Sequence, residues 1–520
     1  MRANKFLFIL MAIFCLYNSQ AQTPIEKGLN SINENSLKGH LTFFSSDWFE
    51  GREATTKGAF MAGDYLASIY QEYKLQHFDG KTFFHEVPLI IAQQPQNATV
   101  RLIKKGDSKS FHFPHSIRAE RIKQSYTIEA PIIWGGYGIC TTKIKEFDTK
   151  SSSGKILIRL KGLPQNLDKA TPLATILSSK KDNEWHEIKK HAIKSSNVLA
   201  ILEYDINDPY LKKSFTENPI NKAIPTAEKE LTKQSSGIYD KSLFLPEDKK
   251  KSPHIFQVSN AIMMEIIPEF NEQLSKYLKG LSQNKIVPIK TFNCNTIELS
   301  SEANVQYKTC RNVIAMIEGS EYPNEFIVVG AHYDHLGSYN GYIWNGADDN
   351  GSGAIGVVAI AKAFMATGVQ PKRTILFANW TAEERGLLGS RYFVDTFKNI
   401  DQVKYYHNYD MIGRSYNYEQ PDSAVTLLYT KAWKQAEGLC AQNNVQYNLG
   451  LKINYSAWDN PTSGSDNAPF AKKGIPIMWF HTGGHESYHM PDDHVEKIDW
   501  QKYEAIVKTS FLTLWNLANE

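Results

Sequence analysis

The sequence predicts an α/β fold in which a mixed, mainly parallel sheet lies between helices. From about residue 290 onward, buried apolar runs alternate with helical segments, as in NEFIVVGAHYD, GSGAIGVVAIAKAFMATG and RTILFANW. Alternation of this kind is typical of parallel strands joined by helices. The middle of the chain differs, because short β-rich runs such as GKILIRLKG are separated there by lysine-rich loops. This difference indicates a second, β-rich α/β module inserted into the first.

Individual elements are predicted from periodicity and end signals. A helix is expected from Gly58 onward, where apolar residues recur at helical spacing. The segment GSGAIGVVAIAKAFMATG predicts a helix that ends at Gly368. GLLGSRYFVDTF predicts a further helix, and RTILFANW, VKYYHNYD and GIPIMWFHTG predict strands.

The chain of 520 residues is too long for one ordinary domain. Its N-terminus combines a basic start, an apolar run and a small-residue end, which is the layout of a secretory signal peptide. Export to the periplasm or the extracellular space is therefore expected. The predicted segments are a signal peptide at 1–21, the first part of the main domain at 22–94, the inserted module at 95–288 and the rest of the main domain at 289–520.

Composition limits the remaining function classes. The net charge of +3 and the absence of an arginine-rich tract give no indication of nucleic-acid binding. No stretch of the mature sequence is long and apolar enough to predict stable membrane insertion. Cys15 leaves lipid attachment open, although the bulky Phe14 before it argues against it. Cys294 and Cys310 flank a predicted hairpin, so either a disulfide or two free thiols fit the sequence. No oligomeric state is predicted.

Ionisable residues follow the predicted C-terminal strands where each strand ends. In open α/β sheets, ligands bind at the carboxyl ends of the strands. Any one of these residues alone would be explained as a solvated loop charge or a helix cap. Imidazole and carboxylate groups that recur together at one edge instead predict a zinc site. The residues are His332, Asp334, Asp348, Asp349, Glu383, Glu384, Asp410 and His489.

Two other motifs compete with this prediction. HESYH, from His485 to His489, matches a pattern that binds zinc only on a helix, and the preceding TGG and the following Pro491 argue against a helix. GSGAIG, from Gly351 to Gly356, matches a dinucleotide-binding pattern but follows a polar loop rather than a strand. Its glycines are expected instead to let the helix approach the metal loop closely.

Five short motifs together resemble peptidase family M28, the co-catalytic zinc exopeptidases. They are AHYDHLG, GADDNGSG, TAEERGLLGS, NYDMIG and YHMPDD, in the order and spacing of that family. The resemblance is strong over residues 290–520, and DWFEGREATTKGAFMAGDYLA resembles the N-terminal segment of the larger members. The middle block is similar to the protease-associated domain inserted in such members. The resemblance therefore implies the zinc-exopeptidase, phosphorylase/hydrolase-like fold with a protease-associated-like insert.

The resemblance also implies a set of metal ligands and two zinc ions per chain. One zinc would be held by His332 and Asp410, and the other by Glu384 and His489. Asp349 would bridge the two ions, because the bridging carboxylate of the family stands three residues before the serine of its SG pair.

Further roles follow from the same resemblance. Asp334 would hydrogen-bond to the first histidine ligand and fix its ring. Glu383 would be the general base that takes a proton from the attacking water. Tyr488 is either a donor to the developing oxyanion or a packed aromatic ring. Asp493 could orient the second histidine ligand, although Asp492 is an alternative and both could face solvent.

The activity implied by the resemblance is removal of N-terminal residues from peptide substrates. A glutaminyl cyclase with one zinc or a carboxypeptidase on the same scaffold remains an alternative. A binding protein that holds zinc without catalysis is an alternative of another class. The chain has SDN at 465–467 where many members carry SDH, so no role is assigned to that segment. The inserted module is expected either to shape access to the site or to be passive.

Overall fold

The structure is a computed structural model that divides into two compact units. The residues it describes are 22–104, 107–113, 116–165, 167, 169, 171–207, 241–249, 252–283 and 285–520. The predicted signal peptide, with Cys15, lies outside the described residues. Within the described part, the first unit comprises residues 22–89 and 308–520, and the second comprises residues between 90 and 307.

The N-terminal part of the first unit is mainly helical. Its elements are α1 (Pro24–Ser31), α2 (Glu34–Phe44), α3 (Lys57–Glu72), β1 (Gln76–His77) and β2 (Phe84–Ala92). A capping box starts α1, because the side chains of Thr23 and Glu26 each bond the backbone amide of the other residue. Asn33 and Thr56 cap α2 and α3 in the same general way. The helix predicted from Gly58 onward is confirmed as α3.

The second unit is built around one mixed sheet. Its elements are β3 (Asn97–Lys104), β4 (Asp107–His112), β5 (Ile117–Ala119), β6 (Tyr126–Trp134), β7 (Ile156–Leu160), α4 (Pro172–Ser178), α5 (Asp182–Ser196), β8 (Ala200–Tyr204), β9 (Ser242–Phe244), β10 (His254–Val258), α6 (Asn260–Ile266), α7 (Phe270–Ser282) and β11 (Thr296–Glu302). The strand order is β4-β3-β11-β6-β7-β8-β10-β5, in which β6, β7, β8 and β10 are parallel. β9 pairs instead with residues 90–92, the last residues of β2, which belong to the second unit. The parallel strands form the core of the unit, where Ile158 and Leu202 are fully buried.

The second unit ends later than the module boundary predicted at residue 288. Because β11 pairs with both β3 and β6, residues 296–302 belong to the sheet of the second unit. The hairpin predicted between Cys294 and Cys310 is wrong for the same reason, since β11 finds its partners in that sheet. All four cysteines within the described residues are free thiols, so no disulfide joins Cys294 to Cys310.

The rest of the first unit alternates strands and helices. Its elements are β12 (Val305–Ile317), β13 (Tyr322–His332), β14 (Gly337–Tyr339), β15 (Tyr342–Trp344), α8 (Gly353–Thr367), β16 (Arg373–Trp380), α9 (Leu388–Thr396), β17 (Val403–Tyr409), β18 (Ala424–Thr430), α10 (Gln435–Gln446), β19 (Lys452–Trp458), α11 (Asn467–Lys472), β20 (Ile477–His481) and α12 (Trp500–Asn519). The strand order is β19-β18-β20-β17-β13-β16-β12-β2. β13 is parallel to β16 and β17, β17 is parallel to β20, and antiparallel pairs flank this centre. The predicted mixed, mainly parallel sheet is confirmed.

Burial explains why these strands and helices occupy the centre of the first unit. β13 and β16 end in continuous runs of buried residues, as expected for parallel strands covered on both faces. α8 is buried over almost its whole length and ends at Gly368, whose φ of +68° suits glycine. Its predicted end is therefore confirmed. Within the described part of the chain, we find no helix that combines the length and apolarity needed to cross a membrane.

Candidate metal centre

The candidate site lies at the carboxyl ends of three neighbouring parallel strands. His332 is the last residue of β13 and is paired in register with Trp380, the last residue of β16. Glu383 and Glu384 follow β16, and Asp410 follows β17 directly. The parallel register brings these ends to one edge of the sheet. As a result, donor atoms of His332, Glu383 and Asp410 lie within 4.8 Å of one another.

Asp349 lies between two sets of predicted ligands. Its Oδ1 is 3.5 Å from His332 Nε2, and its Oδ2 is 3.2 Å from His489 Nε2. Asp410 Oδ2 is 3.7 Å from His332 Nε2, and Glu384 Oε2 is 3.2 Å from His489 Nε2. Two ligands that are each about 2 Å from one tetrahedral ion lie roughly 3.3 Å apart. The donor types and their spacings therefore fit zinc, in two sets that share Asp349.

His332 is oriented so that Nε2 faces the carboxylates. Its Nδ1 is 3.1 Å from the backbone carbonyl of Asp334. A carbonyl can only accept, so Nδ1 carries the proton and Nε2 presents its lone pair. Burial opposes a charge on the ring, but Glu383, Asp410 and Asp349 raise the pKa of His332 well above its ordinary value. These groups therefore favour a cation next to Nε2.

The side chain of Asp334 does not make the hydrogen bond to His332 that the sequence predicted. Its carboxylate Oδ1 is 3.8 Å from His332 Nδ1, which is too long for a hydrogen bond. It accepts instead from the backbone amide of Glu383 at 3.0 Å. The ring of His332 is thus oriented by the main-chain carbonyl of Asp334. The side chain of Asp334 connects the loop after β13 to the glutamate pair.

The two adjacent glutamates have different surroundings. Glu384 Oε1 accepts from His335 Nδ1 at 2.8 Å, and Oε2 lies next to His489. Burial opposes ionisation of Glu384, but the hydrogen bonds from His335 and His489 hold its pKa well below its ordinary value. Glu383 Oε2 lies 3.9 Å from His332 Nε2, and burial raises the pKa of Glu383 well above its ordinary value. One glutamate is therefore held as an anion, whereas its neighbour readily carries a proton.

His335 is a site residue that the sequence reasoning missed. It is fully buried, and its Nδ1 is 3.8 Å from Asp349 Oδ2 in addition to its bond to Glu384. Donor atoms of His335, Asp349 and Glu384 lie within 4.8 Å of one another. The signal was present, because His335 stands three residues after His332 in AHYDHLG.

Asn350 is a second missed residue, and it ties the turn Ala347–Ser352 to the end of β17. Its side-chain amide donates to the carbonyl of Tyr409 at 2.9 Å, and its Oδ1 accepts from the amides of Gly353 and Met411. A Cβ on Gly353 would lie 2.2 Å from Asn350 Oδ1. The expectation that glycine permits close approach of α8 to this turn is thereby confirmed.

Asp348 has a structural environment rather than a metal-facing one. Its Oδ1 accepts from the amide of Gly413 at 2.7 Å and from the hydroxyl of Ser352 at 2.9 Å. Its Oδ2 is 3.1 Å from His485 Nε2. These contacts support Asp349 rather than Asp348 as the shared ligand. The HESYH segment forms turns and no helix, as predicted from the flanking TGG and proline. Its first histidine contacts Asp348.

Asp493 and Tyr488 lie beside the predicted ligands. Asp493 Oδ2 accepts from the backbone amides of Asp348 and Asp349 at 3.0 Å each, while its Oδ1 has no hydrogen-bond partner among the described residues. Asp493 therefore fixes the ligand turn instead of the ring of His489. Tyr488 is 47% exposed and stacks on His489, with 3.9 Å between ring centroids. Burial and neighbouring carboxylates raise the pKa of Tyr488, so its hydroxyl keeps a proton to donate.

Asp466, in the SDN segment, is also part of this environment. It is fully buried, and burial raises its pKa to about 7, against the opposing effect of His332. Its charge in turn contributes to the raised pKa of Glu383. The segment that received no role from the sequence therefore adds a further buried acid next to the predicted base.

A solved structure resembles the whole fold. The aminopeptidase from Aneurinibacillus sp. strain AM-1 superposes with a TM-score of 0.52 at 17% sequence identity, covering 95% of this chain and 96% of that one. At this level of identity, the similarity concerns the fold alone. It agrees with a mixed sheet, flanking helices and an inserted module.

Sequence comparisons concern the C-terminal region. Leucine aminopeptidase 2 of Trichophyton equinum is 34% identical over 182 residues, which cover 34% of this chain and 34% of that protein. The glutamate carboxypeptidase 2 homolog of Caenorhabditis elegans is 31% identical over 211 residues, which cover 36% and 26% respectively. The chain thus matches about a third or less of the length of these relatives. Residues 312–514 match the family model described as Peptidase family M28. This match and the motifs at the strand ends show that residues 312–514 are similar to peptidase family M28.

Proposed function

We propose that the protein is an exported zinc aminopeptidase that removes N-terminal amino acids from peptides. The observation that carries the proposal is the position of Asp349, whose two oxygens face two different histidines at distances that suit shared metal ligands. The match of residues 312–514 to the family model and the names of the leucine aminopeptidase relatives support a peptide substrate and this direction of cleavage. The signal-peptide layout of residues 1–21 supports export.

The donor set supports two zinc ions per chain. His332, Asp410 and Asp349 would hold one ion, and Glu384, His489 and Asp349 would hold the other. Nitrogen and oxygen donors of this kind suit zinc, a borderline-soft ion. When bound, zinc would polarise the carbonyl of the substrate and lower the pKa of a bound water toward about 7.

Glu383 is proposed as the general base. Its side chain is 14% exposed, so water reaches it, and its carboxylate is not hydrogen-bonded to an imidazole as that of Glu384 is. Oε2 of Glu383 would accept a proton from the attacking water and pass it to the amine that leaves. The hydroxyl of Tyr488 is proposed to donate to the oxygen that becomes negatively charged.

Carboxypeptidase activity is a second candidate, favoured by one observation. The similar protein from C. elegans is named a glutamate carboxypeptidase 2 homolog. The two activities share the same metal chemistry and differ in which terminus of the peptide is bound. A glutaminyl cyclase would need only one zinc, whereas this site offers two ligand sets.

The test uses a panel of aminoacyl chromogenic substrates with free and acetylated N-termini, together with peptides blocked at the C-terminus. We expect release from free N-termini only, loss of activity with a chelator, recovery with zinc, and two zinc ions per chain by elemental analysis. Cleavage that persists after N-acetylation but stops after C-terminal blocking would show a carboxypeptidase. Cyclisation of N-terminal glutamine with one zinc would show a cyclase, and zinc binding without turnover would show a binding protein.

A further inference from the structure

Arg52 is a fully buried arginine whose side chain binds backbone oxygens. Its Nε donates to the carbonyl of Tyr333 at 2.8 Å, and Nη2 donates to that of Gly346 at 2.8 Å. Nη1 donates to the carbonyls of Asn345 at 2.6 Å and Phe44 at 3.3 Å. Burying a charge is costly unless its hydrogen bonds are satisfied. Here every nitrogen of the guanidinium has a carbonyl partner, which points to a specific positional role.

Three of these carbonyls, those of Tyr333, Asn345 and Gly346, belong to the two loops that carry the proposed metal ligands. Tyr333 directly follows His332, and Gly346 stands three residues before Asp349. Arg52 therefore links the loop after β13 to the turn before α8. The guanidinium is planar and presents its donors in a fixed geometry, so it sets the separation of the two loops more strictly than a flexible ammonium would.

The next residue makes a second tie to the same site. Glu53 Oε1 is 2.9 Å from Nη2 of Arg385, and these side chains are only 14% and 4% exposed. Arg385 directly follows the ligand Glu384. The carbonyl of Arg52 also accepts from the backbone amide of His335 at 3.2 Å. The short segment Gly51–Glu53 thus contacts the loops after β13 and β16 and the turn before α8.

Gly51 shows how closely this segment is packed against its neighbours. Its φ is +71°, a conformation that favours glycine. A Cβ at this position would lie 2.3 Å from the carbonyl oxygen of Gly337 and 2.7 Å from that of Trp344. The backbone can therefore approach only because residue 51 has no side chain.

The charge of Arg52 also suits its surroundings. Burial lowers the pKa of Arg52 to about 10, while Asp334, Asp349 and Asp493 act in the opposite direction. The group is therefore still a cation at neutral pH. It offsets part of the negative charge of the ligand carboxylates without occupying their metal-facing oxygens.

We propose that Arg52 is a positioning residue for the metal site, holding the two ligand loops at the separation that zinc binding requires, with Glu53 and Arg385 as a second tie. The inference rests on the proposed function, because it assumes that the site binds zinc. The family match begins at residue 312, so Arg52 and Glu53 come from a part of the chain outside the matched region, whereas Arg385 lies within it. The separation of the two ligand loops then depends on the N-terminal segment.

The experiment compares Arg52→Lys with a matched control in the full-length chain. Arg52→Lys keeps the positive charge but loses the planar fork. Arg311→Lys is the control, because Arg311 also donates to a backbone carbonyl, that of Phe60, in the same unit. Zinc affinity and stoichiometry are measured by competition with a chromogenic chelator. We expect roughly tenfold or greater loss of zinc affinity in Arg52→Lys, as for other groups that orient metal ligands, and an unchanged affinity in Arg311→Lys.

Two further measurements separate positioning from general stability. Melting curves with excess chelator compare the metal-free fold of both variants, and added zinc should restore turnover to Arg52→Lys. Zinc affinity equal to wild type in Arg52→Lys, or an equal loss in Arg311→Lys, overturns the inference. If Arg52→Lys does not fold, Glu53→Gln replaces it, with an expected loss of about threefold or more, and unchanged affinity overturns the inference. A wild-type protein that binds no zinc contradicts the proposed function instead.

Discussion

The two units contain similar sets of parallel strands, but the charged residues at the carboxyl ends of these strands are arranged differently. In the second unit, β7 is followed by Lys161 and β8 by Asp205, which form an ion pair at 3.2 Å. Within those strands, Arg159 and Glu203 pair at 2.6 Å. In the first unit, the corresponding ends bring together an excess of carboxylates around histidines. The comparison indicates that the edge of a parallel sheet can hold a cation where its acids lack protein cations as partners.

This difference has an energetic consequence. Acids that are paired within the protein are stabilised in the absence of any ligand. Acids that face each other across a gap of a few ångströms repel, and a divalent cation is the strongest local charge that can offset this repulsion. The first unit should therefore depend on metal for its stability and activity, and the second should not.

The largest expected effect comes from exchanging one glutamate in each unit. Glu383→Gln removes the group proposed to transfer the proton, so turnover should fall by roughly a hundredfold to ten-thousandfold. Zinc content should be unchanged, because Glu383 is not among the proposed ligands. The matched control is Glu203→Gln in the second unit, which should leave turnover near that of wild type. Steady-state kinetics and elemental analysis check both, and surviving turnover in Glu383→Gln would show that the base is another residue.

Metal removal should distinguish the two units by their stability. A ligand present at a thousand times its dissociation constant stabilises the state that binds it by about 4 kcal/mol. A chelator should therefore lower the melting temperature, with hydrogen exchange accelerated in β13, β16 and β17 but not in β6, β7 and β8. Hydrogen-exchange mass spectrometry with and without chelator measures this. Equal acceleration in both units would mean that the second unit also depends on the metal.

The two histidines of HESYH offer a comparison within one loop. His489→Ala should remove one zinc equivalent, because its Nε2 lies 3.2 Å from both Asp349 and Glu384. His485→Ala should leave zinc content near that of wild type, since His485 contacts Asp348. It should lower stability by about 1–3 kcal/mol, because a buried carboxylate oxygen loses its partner. Zinc analysis and denaturant unfolding test this; the loss of a full zinc equivalent in His485→Ala would make that residue a ligand.

Much of the first unit could be predicted because its signals are local. Each strand is one apolar run, and most of the proposed ligands follow such runs, so the order of motifs indicated which side chains meet. What could not be predicted depends on pairs that are distant in sequence. β11 pairs with β3 across the whole second unit, and Arg52 binds the carbonyls of Tyr333 and Gly346, with no local pattern to mark either.

His335 and Asp334 show a different limit. Both lie within a motif that the sequence reasoning used, yet their contacts depend on side-chain direction. The carbonyl rather than the carboxylate of Asp334 orients His332, because the carboxylate is already bound to the amide of Glu383. The spacing of residues along a motif indicates which of them meet. It does not specify which atom of each residue makes the contact.

The smallest expected effect is a pH dependence in the first unit that is independent of the metal. Burial lowers the pKa of His85 to about 4. The side-chain amide of Asn312 lies 3.1 Å from His85 Nδ1 and can only donate, because its oxygen accepts from the amide of Thr381. The folded state therefore requires a neutral ring, since a proton on Nδ1 would face this donor.

The sign of the effect follows from this lowered pKa. The stability that neutral His85 contributes is fully present above its unfolded pKa of about 6.5 and is lost as the pH falls toward 4. Between pH 7 and pH 5, the titration of His85 alone should lower the free energy of unfolding by about 2 kcal/mol. His85→Gln removes the titration and should flatten this part of the profile, measured by denaturant unfolding in the presence of chelator so that zinc ligands do not contribute. A variant that keeps the full wild-type slope over this range would assign the pH dependence to other groups, such as the acids at the candidate metal site.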